Sequence, residues 1–247
     1  MRSVARIGRA FEMGLREYAR TPVLIALLLF LPVYFVGIFV YVLPASEVPI
    51  TVPGEGQQIV ATAELYGVLL VPLLSALIGG IAGMFLMQTA SDADNRLVLA
   101  GYRPVQVIAA RFGLLVVASA VATAVALAVL SVEFVPKSLS VFVVASVLAG
   151  LIYGLVGVLV GLVLGRLGGV YTMLFLPMLD VFFFQNPMAD EKLWLADYTP
   201  GHAVSEIAVD AGFSGTVGFE PFGQALGALV IVATLAIAAF YRATRVH

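Results

Sequence analysis

The sequence predicts an all-α integral membrane protein with six transmembrane helices, and three observations carry that expectation. Of the 247 residues, 62% are hydrophobic and only 11% charged, against roughly 45–50% and about 25% in soluble domains. The apolar residues come in uninterrupted runs, giving a mean hydropathy of +1.07. The arginines fall between those runs on one side only. A chain with less than half the usual charge cannot clothe a water-facing surface, and long unbroken apolar runs point to lipid. A net charge of −2 gives no reason to expect nucleic acid, and without cysteine there are no disulfides, thiolate metal sites or cysteine nucleophiles.

Taken in order, residues 1–22 predict an amphipathic helix at the cytoplasmic interface. Ile7, Ala10, Phe11, Gly14, Leu15 and Tyr18 repeat at helical spacing on one face, with Arg2, Arg6, Arg9, Arg16 and Arg20 on the other. Such a helix lies flat, with its apolar side in lipid and its basic side toward headgroups or a partner protein. Residues 23–247 then form a single six-helix domain, with apolar runs at 23–43, 66–88, 105–130, 141–165, 170–184 and 223–241. A span needs about 20 residues to cross roughly 30 Å of hydrocarbon. The fifth run is shorter than that and carries Pro177 and Asp180. The first run starts late and is too long for a cleavable signal, so it is expected to stay in the mature chain.

The charges, not used to draw the spans, sort themselves around them. Arg2 to Arg20, then Arg96, Arg103 and Arg111, then Arg166, then Arg242 and Arg245 all fall on one side, while Lys137, Lys192 and most of the carboxylates fall on the other. Basic residues near span ends are retained in the cytoplasm, so the arginine side is inside and both termini share it. On the opposite side, residues 45–63, with Pro49 and Pro53, read as a loop. Residues 185–222, containing Trp194 and an amphipathic stretch from His202 to Phe213, read as a segment lying on or dipping into the outer leaflet.

Between spans two and three, residues 89–104 predict a short rigid cytoplasmic helix. Ser91 can cap it, Asp92 and Asp94 fall in its first turn where the dipole favours anions, Gly101 can end it and Pro104 stops it. Asp92, Asp94, Arg96, Leu97, Leu99 and Arg103 would then face a soluble partner, unless this is an ordinary capped loop. Small residues recur every fourth position in Gly150, Gly154, Gly157, Gly161 and Gly165 and in Ser75, Gly79 and Gly83. Such rows let helix backbones approach closely, either within one bundle or between subunits. Asp180 is the one clear charge inside a span. It is either a functional polar site or a residue near the outer surface.

Catalytic readings find little support. Gly212-Phe213-Ser214-Gly215 matches the Gly-x-Ser-Gly of rhomboid proteases, but the only later histidine is His247 at the tail. His202 and His247 are too few for a metal site, and no P-loop exists, the only lysines being Lys137 and Lys192. The chain is therefore not expected to be an enzyme, nor to hold a cofactor of its own.

Together the basic amphipathic helix, the structured 89–104 loop, the short fifth span and the long outer segment with Thr199-Pro200-Gly201-His202 resemble the membrane subunit of ABC-2-type transporters. Locally, Arg96-Leu97-Val98-Leu99-Ala100-Gly101-Tyr102-Arg103-Pro104, followed by Arg111, is similar to that family's leucine-rich turn, proline and basic residue. The resemblance implies a permease, usually an exporter, in the plasma membrane. Arg6, Arg9, Arg16 and Arg20 would lie on a connecting helix, the 89–104 loop would be a coupling helix, and 185–222 would be re-entrant. It also implies a second permease subunit, identical or different, and separate cytoplasmic ATPase subunits that bind ATP and Mg. The alternative is a secondary transporter or channel working without an ATPase, although no matching halves and little midplane charge support it.

Overall fold

The six apolar runs fold into helices long enough to cross a membrane, Ile25–Val42, Thr62–Gln88, Val105–Leu130, Leu139–Val163, Arg166–Phe184 and Phe219–Ala239, and the chain is a multi-pass membrane protein. The computed structural model describes all residues except 1, 21, 44–45, 53–55, 100–101, 190–192, 216 and 246–247. The side chains of 2–6, 17, 23–24, 89–99, 104, 240–241 and 243–245 also lie outside the described residues. In chain order come α1 (Arg2–Ala19), α2 (Pro22–Val42), strands β1 (Glu47–Val52) and β2 (Gly56–Ala61), α3 (Thr62–Leu99), α4 (Pro104–Leu130) and α5 (Leu139–Val163). Then follow α6 (Arg166–Met178), a π-helical segment Leu179–Phe184, a 3-10 turn Ala196–Tyr198, α7 (His202–Phe213) and α8 (Phe219–Arg245). The spans alternate between an arginine end, where α1 lies, and a hairpin end, where β1 and β2 lie.

Residues 67–86, most of the apolar part of α3, are all buried, whereas α2, α6 and α8 leave most of theirs uncovered. Phe30, Tyr34, Phe175, Val230 and Ile231 point away from the bundle. For a protein immersed in hydrocarbon, outward apolar faces cost nothing, because lipid tails are as apolar as leucine. Packing must then come from shape. The most extensive interface joins α3 to α5, and there the glycines face each other. A Cβ on Gly79 would run into the carbonyl oxygen of Gly150, one on Gly83 into that of Gly154, and one on Gly157 into that of Gly80. Gly161 is nearly as tight, its Cβ position 2.9 Å from the Met84 oxygen. Gly165 takes no part: it lies beyond α5, with open space around it.

A small hydroxyl cluster completes the crossing. Thr123 Oγ1 donates to Ser75 Oγ at 3.2 Å, and Ser75 Oγ donates to the Ser119 carbonyl at 3.3 Å, all three residues being buried. Serine and threonine serve here as small residues whose polar atoms bond across helices.

Four expectations need correction. Residues 45–63 are not a loop: β1 pairs antiparallel with β2, from Glu47 opposite Ala61 to Val52 opposite Gly56. Ile50, Val52 and Val60 turn inward and are buried. The prolines concealed this alternation, yet each strand of a two-stranded sheet has an open edge where a missing N–H is tolerated. Gly56 has φ +82, which glycine adopts without steric cost. Next, the helix expected within 89–104 is not separate. Residues 91–99 are helical as the continuation of α3, with no break at Ser91. A helix already nucleated at Thr62 propagates through Ser91 more readily than a new one starts there, because each added residue gains a hydrogen bond without a new nucleus. The Gly101 stop lies outside the described residues, and Pro104 opens α4, a position suited to a residue without N–H.

The fifth span begins at Arg166 rather than 170, because α6 starts there; the Arg166 guanidinium lies over the Phe85 ring, 5.1 Å from its centroid. Finally, the apolar face of α1 is not wholly given to lipid. Ala10 and Gly14 are buried, Phe11 packs beside Gly113, and a Cβ on Gly14 would collide with Leu114. Tyr18 donates to the Ala82 carbonyl at 3.0 Å.

The glycine seam makes a prediction. Gly83→Val sets a branched side chain against the backbone of α5 and should cost about 1–3 kcal/mol or more, read as a lowered Tm of the detergent-solubilised protein. Gly227→Ala, where nothing lies within 4 Å, should leave Tm unchanged or raise it. Equal effects of the two would mean that α3 and α5 do not meet at their glycines.

Candidate functional site

Asp180 lies in the π-helical segment that follows Pro177, and it is buried, only 3% exposed. It is not a carboxylate at the protein surface. A proline in the preceding turn removes one helical N–H, and the wider turn closes through Gln185 N–H donating to the Asp180 carbonyl at 3.0 Å. This turns the Asp180 side chain inward toward α5 and α7.

Three donors meet the carboxylate. The Tyr153 hydroxyl of α5 donates to Oδ2, as does the Gly201 backbone N–H at 2.8 Å. Gln185 Nε2 reaches Oδ1 at 3.4 Å. Gly201 immediately precedes α7, so Asp180 sits at the positive end of that helix, where an anion is stabilised. A Cβ on Gly201 would lie 2.7 Å from Oδ2, so only glycine lets the carboxylate settle on the backbone. Buried anions are tolerated when their lone pairs are occupied in this way.

The network continues through Gln185. Its Nε2 also donates to the Ala196 carbonyl at 2.8 Å and to Thr199 Oγ1 at 2.9 Å. Its Oε1 lies 3.0 Å from His202 Nδ1. His202 Nε2 then faces Asp197 Oδ1 at 3.8 Å and Glu206 Oε2 at 3.7 Å. These three residues line a cavity of about 370 Å³ together with Glu220, Pro221 and Gln224 of α8.

α7 itself is not the surface amphipathic helix expected from the sequence. Residues Ala203–Ser205 and Ile207–Phe213 are buried, packed by α3, α5, α8 and β1. At about 18 Å for 12 residues it is too short to cross a membrane. Its start meets Asp180, and its end is fixed beside the α4–α5 connection by Ser138 N–H donating to Ala211 O at 2.8 Å.

At the arginine end the candidate residues are dispersed. Arg9 and Arg16 are exposed on α1 and Arg20 just after it, and Arg16 pairs with Glu12 at 2.6 Å, an exposed pair of little energetic weight. The Arg6 side chain lies outside the described residues, as do those of Asp92, Asp94, Arg96, Leu97 and Leu99, whose backbone continues α3. Arg103 is exposed just before α4, where its N–H donates to Gln106 Oε1 at 3.1 Å. Between α3, α4, α5 and α8 near this end lies a cavity of about 160 Å³, apolar but for Arg111.

Tyr153, Gln185, Gly201, His202 and Glu206 were not singled out together by the sequence. One signal was available: a tyrosine amid the glycines of span four must be buried, and a buried phenol needs a partner. Compared with protein-family models and with curated proteins, the chain matches none.

Tyr153→Phe takes one donor from a buried carboxylate and should destabilise by about 1–3 kcal/mol. Added to Asp180→Asn it should cost much less, a coupling read from unfolding in detergent by a double-mutant cycle. Strict additivity would show that the two side chains do not interact.

Proposed function

We propose that this chain is the membrane-spanning permease subunit of an ABC-type transporter, driven by a separate ATPase. The observation that carries the reading is the length of α3. Its 38 residues measure about 57 Å, against roughly 30 Å of hydrocarbon. The apolar part ends at Gln88, and 11 further residues, 89–99, continue as helix for about 16 Å. These carry Asp92, Asp94 and Arg96. An unbroken helix transmits displacement along its axis, and this one runs from a charged arm into the most buried element of the bundle. Force applied to the arm therefore reaches the centre of the protein directly.

In this reading the arginine end is cytoplasmic and the hairpin end external, in a plasma membrane, as the segregation of arginine favours. The ATPase subunits hold ATP and Mg, and their closure pushes on residues 89–99 and on α1. A second permease subunit completes the transporter. α7, buried yet too short to span, is the re-entrant element on the outer side. The apolar cavity beside Arg111 suits a hydrophobic or amphipathic substrate better than a highly charged one, and export follows from the family resemblance.

Two measurements test this. The chain contains no cysteine, so a single Asp94→Cys variant should react with a membrane-impermeant maleimide only after the cells are opened. Labelling of intact cells would overturn the orientation. Arg96→Glu and Asp94→Lys should each uncouple ATP hydrolysis from transport in the complex purified with its ATPase, while membrane insertion stays intact. Unchanged coupling in both would remove the arm from the mechanism.

A further inference from the structure

We propose that His202 is a proton-operated latch, which when charged ties the 196–198 turn to α7 at the hairpin end. Gln185 fixes the starting state. Its Nε2 is 2.8 Å from the Ala196 carbonyl, an acceptor only, so that atom must be the amide nitrogen and Oε1 the oxygen. An amide oxygen only accepts. His202 Nδ1, 3.0 Å from Oε1, must therefore carry a hydrogen. In the neutral imidazole the other nitrogen then bears a lone pair, and that nitrogen faces Asp197 and Glu206.

A lone pair turned toward two carboxylates is unfavourable. The separations of 3.8 and 3.7 Å are too long for hydrogen bonds. Protonation of Nε2 reverses the sign of the interaction at once, giving a cation whose Nε2 lies within 4 Å of an oxygen of each anion. Nδ1–H need not move, because it already donates to Gln185. Closure of about 1 Å then brings Asp197, on the 3-10 turn, and Glu206, on α7, onto the same imidazolium.

Carboxylates surround the ring. Asp197 and Glu206 face it directly, and Glu220 of α8 lines the same cavity. Asp180 of the π-helical segment lies behind Gln185, and the Tyr153 hydroxyl of α5 beyond that. Histidine is the side chain whose ordinary titration falls between pH 5 and 8, so acidification on the hairpin side would close the latch. The inference does not depend on what the protein transports or on its energy source.

The chain reports on its own latch. Trp194, the single tryptophan, is exposed two residues before the 196–198 turn. Its fluorescence, followed in the full-length protein in lipid nanodiscs from pH 8 to pH 5, should show one transition. His202→Gln should abolish it, and His247→Gln, at the only other histidine, should retain it. The paired change Asp197→Asn with Glu206→Gln keeps the imidazole but removes its anions, and should abolish the transition as well. In nitrogen-15 spectra of histidine-labelled protein, neutral His202 should carry its proton on Nδ1. A wild-type profile without a transition, one that survives both sets of changes, or a neutral ring protonated on Nε2 would each overturn the latch.

Discussion

Two helix backbones in direct contact organise this protein. Hydrocarbon gives helices no reason to leave lipid for one another, so association depends on van der Waals fit and on hydrogen bonds between them. α3 and α5 achieve that fit by omitting side chains where they cross, at Gly79, Gly80 and Gly83 against Gly150, Gly154 and Gly157. The remaining elements are arranged around this pair. α4 adds Ser119 and Thr123 to the hydroxyl of Ser75, and α6 sets Met173 beside Gly80. The apolar length of α3 ends up surrounded on all sides, and its extension to Leu99 is thereby joined to the least exposed part of the bundle.

The two ends of the bundle are held by different physics. Toward the arginine end the contacts are apolar, with a ring, a glycine and the phenol of Tyr18 docking α1 onto α4 and α3. At the hairpin end a polar network sits inside an apolar cluster. Burying the Asp180 carboxylate would be costly alone, but Tyr153 and Gly201 donate to it and the Gln185 amide nitrogen lies 3.4 Å from its other oxygen. In turn it accepts the N–H of Gly201, the residue that precedes α7. The same carboxylate thus joins α5, the π-helical segment and α7.

That network also explains why α7 is buried so completely without spanning. A helix entering from one end and stopping inside must have the polar groups at its inner terminus satisfied by protein. Asp180 meets that need at the start of α7, where the helix dipole is positive. Gln185 and Thr199 then orient the chain leading into it, and the hairpin covers it from outside with Ile50 and Val52. The polar groups left over, on His202, Asp197, Glu206 and Glu220, line an acidic cavity.

Much of this was already legible in the chain. Apolar length and the position of arginine depend on local composition alone, so the sequence determined the number of membrane-crossing helices, their order and the glycine rows, because lipid imposes a length and a polarity on each segment independently. It also isolated Asp180 as unusual. The tertiary structure decided what each feature meets. Prolines at 49 and 53 hid a hairpin whose pairing is between residues apart in sequence. Ser91 offered a helix start that the longer helix overrode. The partners of Asp180 come from positions 153, 185 and 201, on α5, just after the π-helical segment and just before α7. Hydrogen bonds of that range depend on which surfaces the folded bundle brings together, and no periodicity along the chain records them.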